Sequence, residues 1–124
     1  MRYDSNNIFA KILRGDIPSK KLYEDAFAIA LADIAPAAPL HVLVIPKGEY
    51  VSFNDFAKDA PAEVVKGFFS AVQKVAALMG AEEDGYRILS NHGADASQSV
   101  PHFHVHILGG RALGGLLPSD KQAR

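Results

Sequence analysis

The chain has no cysteine and no tryptophan, and only two methionines among its 124 residues. Without cysteine there is no disulfide, no thiolate metal site and no cysteine nucleophile. Charge of either sign is no more prominent: 13 basic against 14 acidic residues leave a formal net charge of −1. With no run of like charge, nothing points to a nucleic-acid partner. Apolar stretches fall far short of the roughly 20 residues of a membrane span, and Met1 to Asn7 is polar rather than a secretory leader. A cytoplasmic protein without a membrane partner is the default expectation. Internal repeats, low-complexity tracts and linkers are missing too. With 48% hydrophobic and 22% charged residues, residues 1–124 read as one globular domain with a core of its own and an irregular tail over 111–124.

What is present is a series of short strands around one long helix. Asn6 or Asn7 caps a short helix through Ile8, Phe9, Ile12 and Leu13, with Gly15 as its stop. Strands are expected over 21–24, 27–31, 41–45, 86–90 and 102–108. The third, His41-Val42-Leu43-Val44-Ile45, is β-branched and ends at Pro46. Asp33-Ile34-Ala35-Pro36 reads as a turn. The long helix is expected to begin near Asp59 and Pro61. Val64, Val65, Phe68, Phe69, Val72, Val75, Ala76 and Met79 form its apolar stripe, and Gly80 ends it. This pattern predicts an α+β fold: a mainly antiparallel five-stranded sheet with one long and one short helix.

The most informative stretch is His102-Phe103-His104-Val105-His106-Ile107-Leu108, which holds three of the five histidines. Extended backbone sends successive side chains to opposite faces, so the three imidazoles share one face and the apolar residues anchor the other. One reading is a solvated strand face or a set of satisfied core histidines. A second is a metal site, although His102 and His106 attach about 13 Å apart, so one ion takes two neighbours of the row and hardly all three. A His104–His106–His41 site is conceivable, yet no acidic residue or cysteine stands nearby in sequence. The third is nucleophilic catalysis, since a neutral imidazole attacks phosphorus and gives a labile adduct. Neighbouring imidazolium ions disfavour one another, which keeps the central ring neutral. Upstream, the small polar loop from Asn91 to Ser99 offers donors suited to an oxyanion.

The stretch from His102 to Leu108 satisfies every position of His-φ-His-φ-His-φ-φ, with φ apolar, and on this the chain resembles the histidine-triad family of nucleotide-binding hydrolases and transferases. The similarity runs through Ile8-Phe9-Ala10-Lys11-Ile12, Asp33 to His41, Val44-Ile45-Pro46-Lys47, Gly85-Tyr86-Arg87 and Gln98-Ser99-Val100. Gly109-Gly110-Arg111 is similar to the Hint branch, the purine nucleoside phosphoramidases, more than to Fhit-like dinucleoside polyphosphate hydrolases. The resemblance implies that His104 is the nucleophile on the α-phosphorus and that His106 contacts phosphate and assists proton transfer. His102 and His41 orient the nucleophile from behind. Asn91, Ser97, Gln98 and Ser99 lie along the phosphate, with Ser99 also serving the leaving group. Asp33 accepts from the ribose hydroxyls, and Ile8, Phe9, Ile12, Leu31 and Ile34 form the purine slot. The turn role of Asp33 and a core role for the apolar positions are the plainer alternatives, and His92 reads as surface.

The expected activity is cleavage of the P–N bond of purine nucleoside 5′-phosphoramidates through a nucleotidyl-histidine, with no metal and no cofactor. Dinucleoside polyphosphate hydrolysis, nucleotidyl transfer, or nucleotide binding and scaffolding without turnover are the alternatives. The family also implies a homodimer through the long helix and a strand, with the sheet continued across it; Phe68, Phe69 and Val72 are compatible with such a face. Three departures stand out. Ser97 occupies a position where the family often has glycine. Asn7 and Ala10 lie where many bacterial relatives carry zinc-binding cysteines. The tail Leu113 to Pro118 lacks the tryptophan typical of Hint proteins.

Overall fold

A five-stranded antiparallel sheet organises the computed structural model, which describes residues 2–117. Its strands are β1 (Tyr23–Glu24), β2 (Ala28–Ala32), β3 (Leu40–Pro46), β4 (Arg87–Leu89) and β5 (Val105–Gly109). They lie side by side in the order β1-β2-β3-β5-β4. The last strand in sequence is thus interior, paired with β3 from Leu40↔Gly109 to Val44↔Val105 and with the edge strand β4. The α+β class and the antiparallel sheet are as expected. Residues 118–124, the end of the expected tail, lie outside the described residues.

Helix α1 (Ile8–Leu13) starts at Asn7, whose Oδ1 accepts from the Ala10 N–H at 2.9 Å. It ends where Gly15 takes φ +85°, a left-handed turn that glycine adopts without strain. The long helix expected from near Asp59 and Pro61 to Gly80 is α3 (Ala62–Leu78), and a further helix that was not expected, α2 (Phe53–Asp59), precedes it. Ser52 Oγ accepts from the Asn54 N–H, and the Asp55 carboxylate accepts from the N–H groups of Val51 and Ser52. This capping box starts α2. The expectation of one long and one short helix therefore misses an element, although its Ser52-x-x-Asp55 signature is in the sequence.

The sheet carries a core on each face. On one, α3 and Phe56 cover Ala28, Ala30, Val42, Val44, Phe103, Val105 and Ile107. On the other, α1 brings Phe9 and Ile12 against Ile29, Leu31, Leu43 and Ile45. Phe68 and Val72, which sequence left open to a partner-facing role, are core residues at 0% and 3% exposure. Exposed apolar side chains lie elsewhere, at Phe53, Leu78, Ile88 and Leu89. Among the described residues no helix is long and apolar enough to cross a membrane.

Candidate active site

The histidine row straddles the start of β5 instead of lying wholly on it. Continuing the register beyond Val44↔Val105 would set Phe103 opposite Pro46, which has no N–H for a ladder bond. The strand accordingly begins at Val105, while the Phe103 N–H turns to the Tyr50 carbonyl at 2.7 Å. Alternation survives the shortening. Phe103, Val105 and Ile107 pack into the α3-side core, and the three imidazoles take the α1 side, where the Phe9 ring lies edge-on to those of His102 and His104.

Hydrogen-bond partners fix which nitrogen of each ring carries its proton. His102, fully buried, places Nε2 2.9 Å from the Pro46 carbonyl, which can only accept, so Nε2–H donates. His104 places Nδ1 2.7 Å from the His102 carbonyl oxygen. Its proton therefore sits on Nδ1, and Nε2 is left with a lone pair. Ser90 Oγ donates to the carbonyl of His104 at 2.7 Å and holds that backbone. Burial is the main force pushing both rings below the ordinary histidine pKa, against the opposing pull of their carbonyl partners. Both rings are kept neutral.

A second chain of bonds serves His106. The Ala37 N–H donates to His41 Nδ1 at 2.9 Å, so the His41 proton is on Nε2. That nitrogen lies 2.8 Å from His106 Nδ1 and 3.3 Å from Asp33 Oδ2. His106 Nδ1 thus accepts, and its Nε2–H becomes a donor. His106 is pushed down to about 4, first by burial and then by the neighbouring His104 and His41, with Asp33 opposing. His41 was expected behind the nucleophile; its contact is with His106 instead.

Asp33, His41 and His106 each offer a ligand atom, and these lie within 4.8 Å of one another, close enough for one cation. A metal needs a lone pair from each ligand. The Ala37 amide keeps the His41 Nε2 lone pair occupied by a proton, so an ion would have to expel that proton and break the bond that orients His106. The donor set fits a proton better than a metal.

Above the rings lies a cavity of about 350 Å³ lined by Ile8, Phe9, Leu31, Asp33, Ile34, Ser99, His104 and His106, all expected at the site. Ala32, Leu43 and Val100 complete the lining and were not anticipated. The volume is in the range of small-ligand sites. Ile34 and Ile8 are 101% and 47% exposed at its rim, while Asp33 is anchored as Oδ1 accepts from the Ala35 N–H at 2.8 Å. Other expected residues stand back. Ile12 is buried on the inner side of α1, the His102 carbonyl holds the His104 ring and His41 lies behind His106. Asn91 and Ser97 do not line the cavity. Gln98 spends its amide on the loop itself, accepting from the Gly93 N–H and donating to the carbonyls of Val51 and Val100. His92 is at the surface as read, bonded to Ser52 Oγ at 2.6 Å.

An antiparallel α+β domain with a row of neutral imidazoles under an apolar-walled cavity is the architecture of a nucleotide-hydrolase-like protein. A model of the HIT domain matches residues 14–113, and the chain belongs to that family. It is 55% identical to an uncharacterized 13.2 kDa HIT-like protein of Azospirillum brasilense, over 93% of this chain and 94% of that one. To the purine nucleoside phosphoramidase of Escherichia coli it is 39% identical, over 89% of this chain and 92% of the relative. Among solved structures, a HIT family hydrolase from Clostridium thermocellum superimposes with a TM-score of 0.82 at 40% identity, covering 90% of this chain and 96% of the other.

Proposed function

We propose that this protein hydrolyses purine nucleoside 5′-phosphoramidates through a covalent intermediate on His104. The observation that carries the reading is the unprotonated Nε2 of a neutral His104 in a cavity whose other polar groups are Asp33, Ser99 and His106. The base would lie between the apolar walls, with Ile8 and Ile34 at the rim, and Asp33 would accept from the ribose diol. His104 Nε2 attacks the α-phosphorus, the P–N bond breaks, and the leaving amine takes a proton from water. Water then attacks the nucleotidyl-histidine, and the electron pair returns to Nε2.

The His106 ring acts here as a hydrogen-bond donor. A neutral imidazole that gave up its Nε2 proton would become an anion, and His41 has no spare proton to replace it. His106 Nε2–H and the Ser99 hydroxyl therefore hold the phosphoryl oxygens while charge builds on them. Two displacements retain configuration at phosphorus, which a chiral phosphorothioate substrate reads. Turnover of adenosine 5′-phosphoramidate, with protein trapped during turnover heavier by one nucleoside monophosphate, is the expected result. Efficient cleavage of a diadenosine polyphosphate but not the phosphoramidate would overturn the substrate assignment, and inversion would remove the intermediate.

The reading includes a cytoplasmic homodimer. Edge strand β4 exposes Ile88 and Leu89 beside an apolar groove of about 320 Å³ that they share with Phe53 and Phe69, a surface suited to a second copy. Light scattering at the monomer mass would reject it.

A further inference from the structure

Tyr3 reaches the histidine row from the far end of the sequence. Its hydroxyl lies 2.6 Å from Nδ1 of His102, 99 positions away, and the two rings meet edge to face with centroids 5.5 Å apart. The residue lies outside the stretch that the HIT model matches.

The polarity of this bond is fixed by the other side of the ring. Because the Pro46 carbonyl takes the His102 Nε2 proton, Nδ1 holds a lone pair, and the Tyr3 O–H must donate to it. Burial raises the hydroxyl above its ordinary pKa, so it keeps the proton it donates. Ring 102 is thus held at both nitrogens while its own backbone carbonyl takes the His104 Nδ1 proton.

We propose that Tyr3 is a positioning residue for phosphoryl transfer: its hydroxyl, opposite the Pro46 contact, fixes the seat of His102, which keeps the His102 carbonyl on His104 Nδ1 and leaves His104 Nε2 bare. The inference rests on the reading of His104 as the nucleophile. Removing the hydroxyl strips the donor from Nδ1 of a ring with 0% exposure, where water does not replace it. The ring finds another donor only by turning, which breaks its bond to the Pro46 carbonyl or shifts residue 102. His104 then samples the tautomer with its proton on Nε2, which cannot attack phosphorus.

The test is Tyr3→Phe, which deletes one oxygen and keeps the ring. With adenosine 5′-phosphoramidate, kcat falls roughly ten- to a hundredfold, as a small misplacement of a reacting group does, while KM changes little. Imidazole nitrogen NMR on the ligand-free protein reads the cause directly. In the parent protein the proton is on Nε2 of His102 and on Nδ1 of His104; in the variant the His104 ring becomes a mixture of tautomers. A folded variant with the parent kcat overturns the proposal, and so does a parent spectrum with the proton on Nδ1 of His102. If the variant does not fold, the parent spectrum alone decides. If the parent turns over no phosphoramidate, the substrate reading fails, and the two spectra still decide whether Tyr3 governs the His104 tautomer.

Discussion

Residues 102–107 present two faces built on opposite principles. Phe103, Val105 and Ile107 are 1%, 3% and 0% exposed under α3, with the Phe103 ring stacked on Phe56 at 4.6 Å. On the other face, His102 and His104 are buried almost as completely, yet each ring nitrogen has a specific fate: bonded to a named partner or left bare. The apolar face is defined by volume, and side chains of similar size can exchange there. The histidine face is defined by donor and acceptor identity, which no residue of similar size reproduces. Damage to the first therefore falls on stability and damage to the second on chemistry.

The largest effect expected is at His104. His104→Ala should lower kcat by about 1,000-fold or more, the scale of losing a nucleophile, while a purine nucleoside monophosphate still binds by calorimetry. Near-parent turnover would break the comparison at its centre. Next is Phe103→Ala, which opens a cavity in the α3-side core and should remove about 3–5 kcal/mol of stability by urea unfolding. The fraction that stays folded should keep its kcat. A folded but inactive Phe103→Ala protein would mean that the two faces are not separable.

His41 sharpens the histidine side. His41→Ala removes the donor to His106 Nδ1, so His106 divides between tautomers and loses part of its donation to phosphate. A kcat/KM reduced roughly ten- to a hundredfold is expected, with the His104 ring spectrum unchanged because the two rings are oriented independently. Parallel loss of the His104 tautomer would show a single coupled unit.

Acid separates the faces further. His102, His104 and His106 all bind protons less readily in the folded protein, His106 falling from the ordinary 6.5 to about 4. As pH drops from about 6.5 toward 4 the unfolded chain takes up protons that the folded one refuses, so stability falls with pH in that window. The urea midpoint at pH 5 should lie below that at pH 7.5, and His106→Asn should flatten the difference. An unchanged midpoint would mean that the rings are not buried as described.

Much of this plan could be read from residue spacing, and the remainder depends on partners that spacing does not reveal. Period-two alternation separates His104 from Phe103, and the helical stripe of Phe68, Val72 and Val75 marks the helix that covers the apolar face. The start of β5 was not legible, because it depends on which residue of the histidine row lies opposite Pro46, the donorless end of β3. The contact of Tyr3 with His102 spans nearly the whole chain. The Ala37 amide that sets the His41 tautomer carries no residue-type signal at all, since every residue but proline offers the same N–H. Gln98 was placed on a ligand by its neighbourhood, while its amide closes the loop.

The smallest effect expected concerns that loop. Ser97 takes φ 59° and ψ 39°, the left-handed region, where a side chain costs roughly 1–2 kcal/mol relative to glycine. Ser97→Gly relieves this strain but gives the unfolded chain more freedom, a loss of about 0.5–1 kcal/mol. The two nearly cancel, and a gain of a few tenths of a kcal/mol is expected by urea unfolding. Because Ser97 is exposed and does not line the cavity, its hydroxyl should matter little to KM. A clear destabilisation, or a severalfold rise in KM, would mean that the hydroxyl contributes to the site despite its distance from the lining, and the loop would then belong to the chemical side of the comparison.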